Sequence, residues 1–146
     1  MTVSELLAFL RSQTLAVQTS VSPSGAPQAA VVAFVVTESF EIFFDTLDST
    51  RKVHNLRRNP RVAFVIGGML DGDERTVQYE GVADEPEGAD LQRLKAVYFN
   101  RFPDGPARQS WPGLMYMRAR PTWIRYSDFN ATPRHIEEFG AAELGI

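Results

Sequence analysis

The sequence predicts a mainly β protein, an antiparallel barrel with short helices at its periphery. Three observations favour this class. About seven β-prone segments are separated by turn residues at short spacing, only two or three segments have helical periodicity, and the first strands are joined by short turns into an antiparallel meander. The 146 residues contain no internal repeat, low-complexity segment or domain boundary. We therefore expect a single domain over residues 1–146.

The N-terminal half is expected to form one helix and then three strands. Thr2 and Glu5 have the spacing of a capping box, and the apolar residues that follow form one stripe. The expected strands cover residues 14–21, 28–36 and 40–45, joined by turns at residues 22–25 and 37–39. Segment 28–36, QAAVVAFVV, is almost continuously apolar, which predicts a strand that is buried on both faces.

The second half alternates short helices with strands. The expected elements are a helix over 51–58, strands over 61–68 and 75–85, a helix over 86–102, a Pro- and Gly-rich loop over 103–113, and two strand segments within 114–129. Ser49 or Thr50 is expected to cap the first of these helices. Pro121 cannot donate to a sheet ladder, so it must lie at an edge or a bend. The tail from Asn130 onward has little pattern.

The composition argues against several classes of function. The chain has no cysteine, which excludes disulfides, zinc-thiolate sites and a catalytic thiol. Its net charge of −3 argues against generic nucleic-acid binding. His54 and His135 are far apart in the sequence and no carboxylate motif accompanies them, so no metal site is expected. No nucleophile motif such as G-x-S-x-G supports an acyl-transfer hydrolase.

The expected location is the cytoplasm. The N-terminal segment MTVSELLAFLRSQ has neither the positive start nor the long apolar stretch of a signal peptide. No apolar run approaches the roughly 18 residues that cross a bilayer. The absence of cysteine also fits a reducing compartment.

The helix at 51–58 begins with two cations. A helix N-terminus carries about +0.5 of an elementary charge and several unpaired N–H groups, so Arg51 and Lys52 are each disfavoured there by about 0.3–1 kcal/mol when exposed. A bound phosphate would resolve the conflict, because the N–H groups, the Thr50 hydroxyl, a guanidinium and an ammonium would converge on it. Thr46 could add a second hydroxyl.

An ordinary surface arrangement is the alternative interpretation of these cations. Asp45 and Asp48 are close in sequence and could neutralise Arg51 and Lys52 as solvated ion pairs. The segment also lacks the glycine-rich cradle of a P-loop. Charge alone therefore leaves both interpretations open.

The order of these segments resembles that of the pyridoxamine 5′-phosphate oxidase-like flavoproteins over about residues 5–126. The most specific part is T-x-x-x-[ST]-R-K followed by a short helix, NP and an apolar strand. The resemblance implies a split β-barrel, which is a Greek-key antiparallel barrel, and a homodimer that binds FMN at the subunit interface. It also implies that Thr46, Thr50, Arg51 and Lys52 hold the FMN phosphate.

The resemblance extends to positions around the flavin ring. Val32 and Ala33 match positions whose backbone faces the isoalloxazine ring, and Thr76 stands where a glutamine is common near the flavin. Ala30 and Val35 replace an Arg and a Lys of the true oxidase, and its C-terminal substrate-binding Arg and His are not recognisable. These departures argue against vitamin B6 oxidation and leave FMN binding as the expectation.

Two further sets of side chains are candidates. Trp111, in the Pro- and Gly-rich loop, could stack on a flavin or pack at a subunit interface. Arg118, Arg120 and Arg125 alternate along the last strand segments. They would contact cofactor or substrate phosphate if a partner covers that face, and otherwise they would form a solvated edge.

We therefore expect an FMN-dependent oxidoreductase that acts on a small molecule, with no side chain that can be named as catalytic. The flavin would carry the hydride or single-electron chemistry. The alternatives are a deazaflavin-dependent reductase on the same fold and a non-catalytic flavin- or haem-binding module.

Overall fold

The computed structural model describes residues 1–146 and contains eight strands and five helices. The strands are β1 (Leu15–Val21), β2 (Pro27–Ala33), β3 (Val35–Val36), β4 (Ile42–Leu47), β5 (Arg61–Gly67), β6 (Arg75–Asp84), β7 (Leu114–Asp128) and β8 (His135–Phe139). The helices are α1 (Val3–Ser12), α2 (Arg51–Arg58), α3 (Gly88–Arg101), α4 (Gly105–Arg108) and α5 (Ala141–Leu144). None of the helices is long and apolar enough to cross a membrane.

All eight strands belong to one antiparallel sheet that curls on itself. The hydrogen-bonded order is β2-β1-β5-β6-β7-β4-β3, with β8 added to β7. The two strands at the ends of this order, β2 and β3, are consecutive in the chain and are separated only by Phe34. One stretch of chain therefore pairs with β1 and then with β4. This arrangement closes the sheet into a split β-barrel, which confirms the predicted fold class.

The barrel interior is filled by alternate residues of the strands. The rings of Phe44, Phe64 and Tyr79 pack edge to face, with centroids 6.0 and 5.6 Å apart. The buried Tyr79 hydroxyl lies 2.9 Å from the carbonyl oxygens of both Phe40 and Ala119. Its polar end is therefore satisfied inside an otherwise apolar core.

Two helices cover the barrel from outside. α1 begins with the predicted capping box, in which the Thr2 hydroxyl accepts from the Glu5 N–H at 3.1 Å and the Glu5 carboxylate accepts from the Thr2 N–H at 2.6 Å. Leu94 and Tyr98 of α3 are fully buried against Phe43 of β4. The outer face of β4 is thereby fixed under α3.

Four sequence predictions differ from the structure. The loop expected over 103–113 contains the short helix α4. Segment 28–36 is not buried on both faces, because it divides at Phe34 and the outward side chains of β2 are exposed, as Val31 is by 61%. The two strand segments around Pro121 are one continuous strand, β7, in which Pro121 lies opposite Gly81 at a shift of register. The tail from Asn130 contains β8 and α5, which dock on β7 although their own sequence pattern is weak.

Candidate functional site

The turn between β4 and α2 gathers the side chains that match the phosphate motif. β4 ends at Leu47, and α2 begins at Arg51 after the N-cap residue Thr50. The hydroxyl oxygens of Thr46 and Thr50 are 3.4 Å apart, and the Lys52 ammonium donates to the Thr46 hydroxyl at 3.3 Å. Arg51 lines the same groove as Thr50 and Lys52. The four residues are therefore neighbours in space, and their role in holding a phosphate stays a prediction.

The first turn of α2 offers unpaired donors. An N-cap threonine usually accepts a hydrogen bond from an N–H of the first turn. The Thr50 hydroxyl instead donates to the Leu47 carbonyl at 2.8 Å and makes no capping bond. The N–H groups of Arg51, Lys52 and Val53 consequently have no hydrogen-bond partner. Three free donors at a helix N-terminus are a ready site for an anion.

The carboxylates near this turn do not neutralise its cations. Asp45 accepts hydrogen bonds from Arg108 at 2.8 Å and from the Tyr98 hydroxyl at 3.0 Å, on the outer face of β4. No carboxylate lies within 4.0 Å of Arg51 or Lys52. The surface-pair interpretation of the two cations is therefore not realised in the structure.

At the C-terminal end of α2, both cations have hydrogen-bond partners within the chain. The Arg57 guanidinium donates two hydrogen bonds to the Glu85 carboxylate, at 3.2 and 2.8 Å, and Arg58 donates to the Val21 carbonyl at 3.0 Å. Both residues also suit the negative end of the helix dipole. The cations at the C-terminal end are thus used within the protein, whereas those at the N-terminal end are available to a ligand.

Lys52 is held at an energetic cost. Its ammonium is partly buried, and this desolvation lowers the pKa of the Lys52 side chain below the usual lysine range. No carboxylate compensates for the burial. A bound anion would favour the charged form and raise the pKa again.

A groove of about 340 Å³ extends from this turn across the inner side of β1 and β2. A hydrogen-bonded group of side chains borders it, because the amide nitrogen of buried Asn55 donates to the Ser20 hydroxyl at 3.1 Å and to the Gln28 amide oxygen at 2.9 Å. Gln18 also lines the groove and is 1% exposed, yet neither its amide nitrogen nor its amide oxygen has a partner. Free cations, free N–H groups and an unpartnered amide together fit a polar, phosphate-bearing cofactor.

Sequence reasoning missed this polar lining of the groove. Gln18 and Ser20 occupy inward positions of β1, where the same face otherwise carries buried Ala16. A polar residue at two successive inward positions of a strand is the signal that could have identified them. Asn55 lies within the predicted helix 51–58, and its polar side chain is only 4% exposed.

The residues matched to the flavin ring lie further along β2. Val32 is buried opposite Ala16, and Ala33 is half-buried opposite Leu15. The groove itself is lined by Ala29 and Ala30 of the same strand. Contacts of Val32 and Ala33 with a cofactor stay predictions.

Thr76 and Trp111 do not join the turn within one chain. Thr76 pairs with Ser127 near the far end of β7, whereas Thr46 pairs with Met115 near its start. Ser127 lies twelve positions beyond Met115, which corresponds to about 40 Å along an extended strand. Trp111 is 54% exposed and does not line the groove. A cofactor contact from either residue stays a prediction.

The three alternating arginines of β7 do not form a solvated edge. Arg118 is 3% exposed and pairs with Glu41, Asp84 and Asp90. The exposed Arg120 shares Asp84 with it. The prediction of a solvated edge is wrong for Arg118, because three carboxylates from distant parts of the chain converge on its guanidinium.

Arg125 differs from these two arginines. It is 3.8 Å from Glu138 of β8, and its Nε is buried without a partner. The three arginines thus do not act as one set.

The fold defines the chain as a split-barrel protein in which two cations without carboxylate partners stand at the start of α2. The family model described as pyridoxamine 5′-phosphate oxidase matches residues 2–128. The chain therefore belongs to the pyridoxamine 5′-phosphate oxidase-like family, which confirms the resemblance drawn from the motif. No curated protein sequence gives a significant match.

Solved structures of low sequence identity share this fold. A haem-binding protein from Mycobacterium smegmatis superposes with a TM-score of 0.82 at 16% identity, over 99% of this chain and 60% of that chain. An FMN-binding protein from Nostoc punctiforme, related to pyridoxamine 5′-phosphate oxidase, gives 0.72 at 14% identity, over 94% and 87% of the two chains. The haem storage protein HutZ from Vibrio cholerae gives 0.69 at 19% identity, over 83% and 91%. These similarities concern the fold, and this chain spans only 60% of the length of the M. smegmatis protein.

Proposed function

We propose that the chain binds FMN, with the FMN phosphate at the start of α2. One observation carries this proposal: Arg51, Lys52 and three free N–H groups converge at one turn, and no carboxylate of the chain lies within 4.0 Å of the two cations. Such an arrangement is costly in the absence of an anion and favourable in its presence. The FMN-binding protein from Nostoc punctiforme, which has the same fold, supports the choice of cofactor.

Each group at the turn has a definite task toward the phosphate. The Arg51 guanidinium can donate two parallel hydrogen bonds, and the Lys52 ammonium supplies a compact charge. The hydroxyls of Thr46 and Thr50 are adjacent and can reorient toward phosphate oxygens. The free backbone N–H groups complete the set of donors.

We propose that the rest of the cofactor lies in the groove along β2. Ala30 faces the groove with a side chain of a single methyl group, and Ala29 lies next to it in the strand, so a ligand can approach the backbone closely. Val32 and Ala33 follow along the same strand, where the family resemblance places the isoalloxazine ring. We propose that the ring extends in this direction.

We propose that the protein is a homodimer that uses the outer face of the β1-β2-β5 sheet. Val31 and Val65 are 61% and 42% exposed and both lie directly opposite Val17, so the three side chains share one face. Leu15, which is 46% exposed, continues the same row. Exposed apolar faces of this kind are typical of subunit interfaces. The occupant we propose is a second copy of the chain.

The redox chemistry would reside in the cofactor. When bound, FMN supplies hydride or single-electron transfer. No carboxylate or histidine lines the groove, so the chain's contribution is to hold the phosphate, position the ring and shape access for a small-molecule substrate. We therefore propose an FMN-dependent oxidoreductase of the cytoplasm.

The structure favours FMN over the two other ligands considered. An anionic deazaflavin tail would need free cations on β7, but Arg118 and Arg120 are already paired with carboxylates. A haem iron would need an axial ligand, but His54 is exposed on α2 and His135 contacts Glu137 at 2.9 Å, and neither lines the groove.

The spectrum of the freshly purified protein tests the proposal. We expect the two visible absorption bands of a flavin, and we expect the compound released on denaturation to have the mass of FMN. Apo-protein should also bind added FMN more tightly than added deazaflavin cofactor. A haem spectrum, or a failure of apo-protein to bind FMN, would contradict the proposal.

A further inference from the structure

Gln18 is a buried amide that the folded chain leaves without a partner. It lies in the middle of β1, opposite Ala30 of β2 and Phe64 of β5. Neither of these side chains can form a hydrogen bond. Its nitrogen and oxygen both lack any partner although the residue is 1% exposed. Buried polar groups are nearly always hydrogen-bonded, so this exception requires an explanation.

The neighbouring polar side chains form hydrogen bonds that do not involve Gln18. The Asn55 amide nitrogen uses both of its donor positions, on Ser20 and on Gln28. Both donor positions of this nitrogen are therefore occupied without Gln18. The amide nitrogen of Asn55 has partners within the fold, whereas both polar atoms of Gln18 have none, so the two amides differ in role.

We infer that Gln18 is a ligand-binding residue that recognises a hydroxyl group of the cofactor's ribityl chain. This inference rests on the proposed FMN site. The residue shares one small groove with Thr50, Arg51 and Lys52, so the part of FMN within its reach is the part bonded to the phosphate. That part carries hydroxyl groups, each of which can donate to the amide oxygen and accept from the amide nitrogen. Gln18 has three rotatable side-chain bonds with which to turn its covered amide toward the ligand.

The proposed role of Gln18 has opposite effects on the stability of the apo-protein and on FMN binding. An amide without a partner destabilises the ligand-free chain, whereas the same amide strengthens binding if a hydroxyl meets it. An apolar side chain of similar size at this position should therefore stabilise the apo-protein and weaken FMN binding. A residue with only a packing role would not move the two quantities in opposite directions.

The test compares Gln18→Met and Gln18→Leu with wild type, using FMN and an analogue whose ribityl chain is replaced by a phosphorylated pentyl chain without hydroxyls. We expect both variants to bind FMN about tenfold more weakly than wild type. We also expect wild-type affinity for the analogue in both variants, and a thermal midpoint of the apo-protein above that of wild type. Asn55→Leu is the matched control, and it should lower the midpoint because it removes a satisfied amide.

The outcomes are distinguishable. Unchanged FMN affinity in both Gln18 variants, or an equal loss for FMN and for the analogue, overturns the role of Gln18 and leaves the FMN site intact. A wild-type apo-protein that binds neither flavin overturns the proposed function, and the role of Gln18 falls with it.

Discussion

Asp45 accepts a hydrogen bond from Arg108 at 2.8 Å, on the face of β4 opposite to the side chain of Thr46. The side chains of Asp45 and Arg108 are 14% and 17% exposed. Tyr98 donates to the same carboxylate at 3.0 Å. Asp45 is thus committed to the helices that cover the barrel. Asp48, which lies within the turn between β4 and α2, forms no ion pair within 4.0 Å of Arg51 or Lys52, so neither carboxylate is paired with these two cations.

Replacing Arg108 should therefore affect stability and not cofactor binding. We expect Arg108→Ala to lower the free energy of unfolding by about 3 kcal/mol, because it leaves a largely buried carboxylate without its cation. The FMN dissociation constant should stay within about twofold of the wild-type value, which corresponds to less than about 0.5 kcal/mol. Urea unfolding and fluorescence titration measure the two quantities. A large loss of FMN affinity in a folded variant would mean that Asp45 belongs to the site after all.

Lys52 should show the opposite pattern. Burial lowers the pKa of its ammonium, so the charged form is disfavoured in the folded apo-protein. This cost is fully present below the lowered folded-state pKa and disappears as the pH rises above the ordinary lysine value near 10.5. We expect Lys52→Met to raise the thermal midpoint of the apo-protein at pH 7 and to weaken FMN binding. The stabilisation should shrink as the pH rises through the lowered pKa toward 10.5, and a destabilised apo-variant at pH 7 would contradict this account.

The ion pairs around Arg118 should dominate the acid sensitivity of the fold. Burial alone raises the pKa of the Asp84 carboxyl. Hydrogen bonds and charge from Arg118, with a contribution from Arg120, lower this pKa by more, so it lies below its usual value. Hydrogen bonds from Arg93 and Arg118 lower the pKa of Asp90. Both carboxylates therefore stabilise the fold fully above about pH 4, and this contribution is lost as the pH falls through their lowered pKa values.

Arg118→Met tests this relationship. We expect a loss of about 3–5 kcal/mol in unfolding free energy at pH 7, because three carboxylates lose their shared cation. The difference from wild type should narrow as the pH falls below about 4 and the carboxylates become neutral. Arg120→Met is the matched control, since this exposed arginine contacts the same Asp84 and should cost less than about 1 kcal/mol. If both substitutions lowered the unfolding free energy equally, the burial of Arg118 would make no contribution to the strength of its ion pairs.

The proposed dimer face can be tested with a single charge. Val31→Glu places a carboxylate in the row formed with Val17 and Val65, and we expect it to convert the dimer to a monomer in light scattering. Leu70→Glu is the control, because Leu70 is 69% exposed in the loop between β5 and β6, outside this face. A wild-type protein that is monomeric at micromolar concentration would contradict the dimer directly.

Local features of the fold could be predicted because their causes are local. The Thr2–Glu5 capping box and the cations at the start of α2 depend on spacings of a few residues, and both are present as the sequence indicates. The fold class followed from the alternation of strands and short turns. The closure at Phe34 was not predicted, because it requires one apolar stretch to serve two different strands.

Long-range contacts explain what the sequence could not reveal. Arg118 meets Glu41 across 77 residues and Asp84 across 34 residues, and no local pattern indicates that these charges converge. The sequence does not reveal the role of Gln18 either, because that role depends on the absence of hydrogen-bond partners for its amide. The sequence marks a polar residue at an inward position, but only the structure shows that its amide is unsatisfied.

The most direct test of the account is a titration of apo-protein with FMN and with riboflavin, which lacks the phosphate. We compare wild type with Arg51→Ala plus Lys52→Ala, and with Arg57→Ala plus Arg58→Ala, which removes the same charge from the other end of α2. We expect wild type and the second variant to prefer FMN by at least about 100-fold, and the first variant to bind both flavins with similar, weak affinity. If the first variant binds FMN as tightly as wild type does, the start of α2 is not the phosphate site.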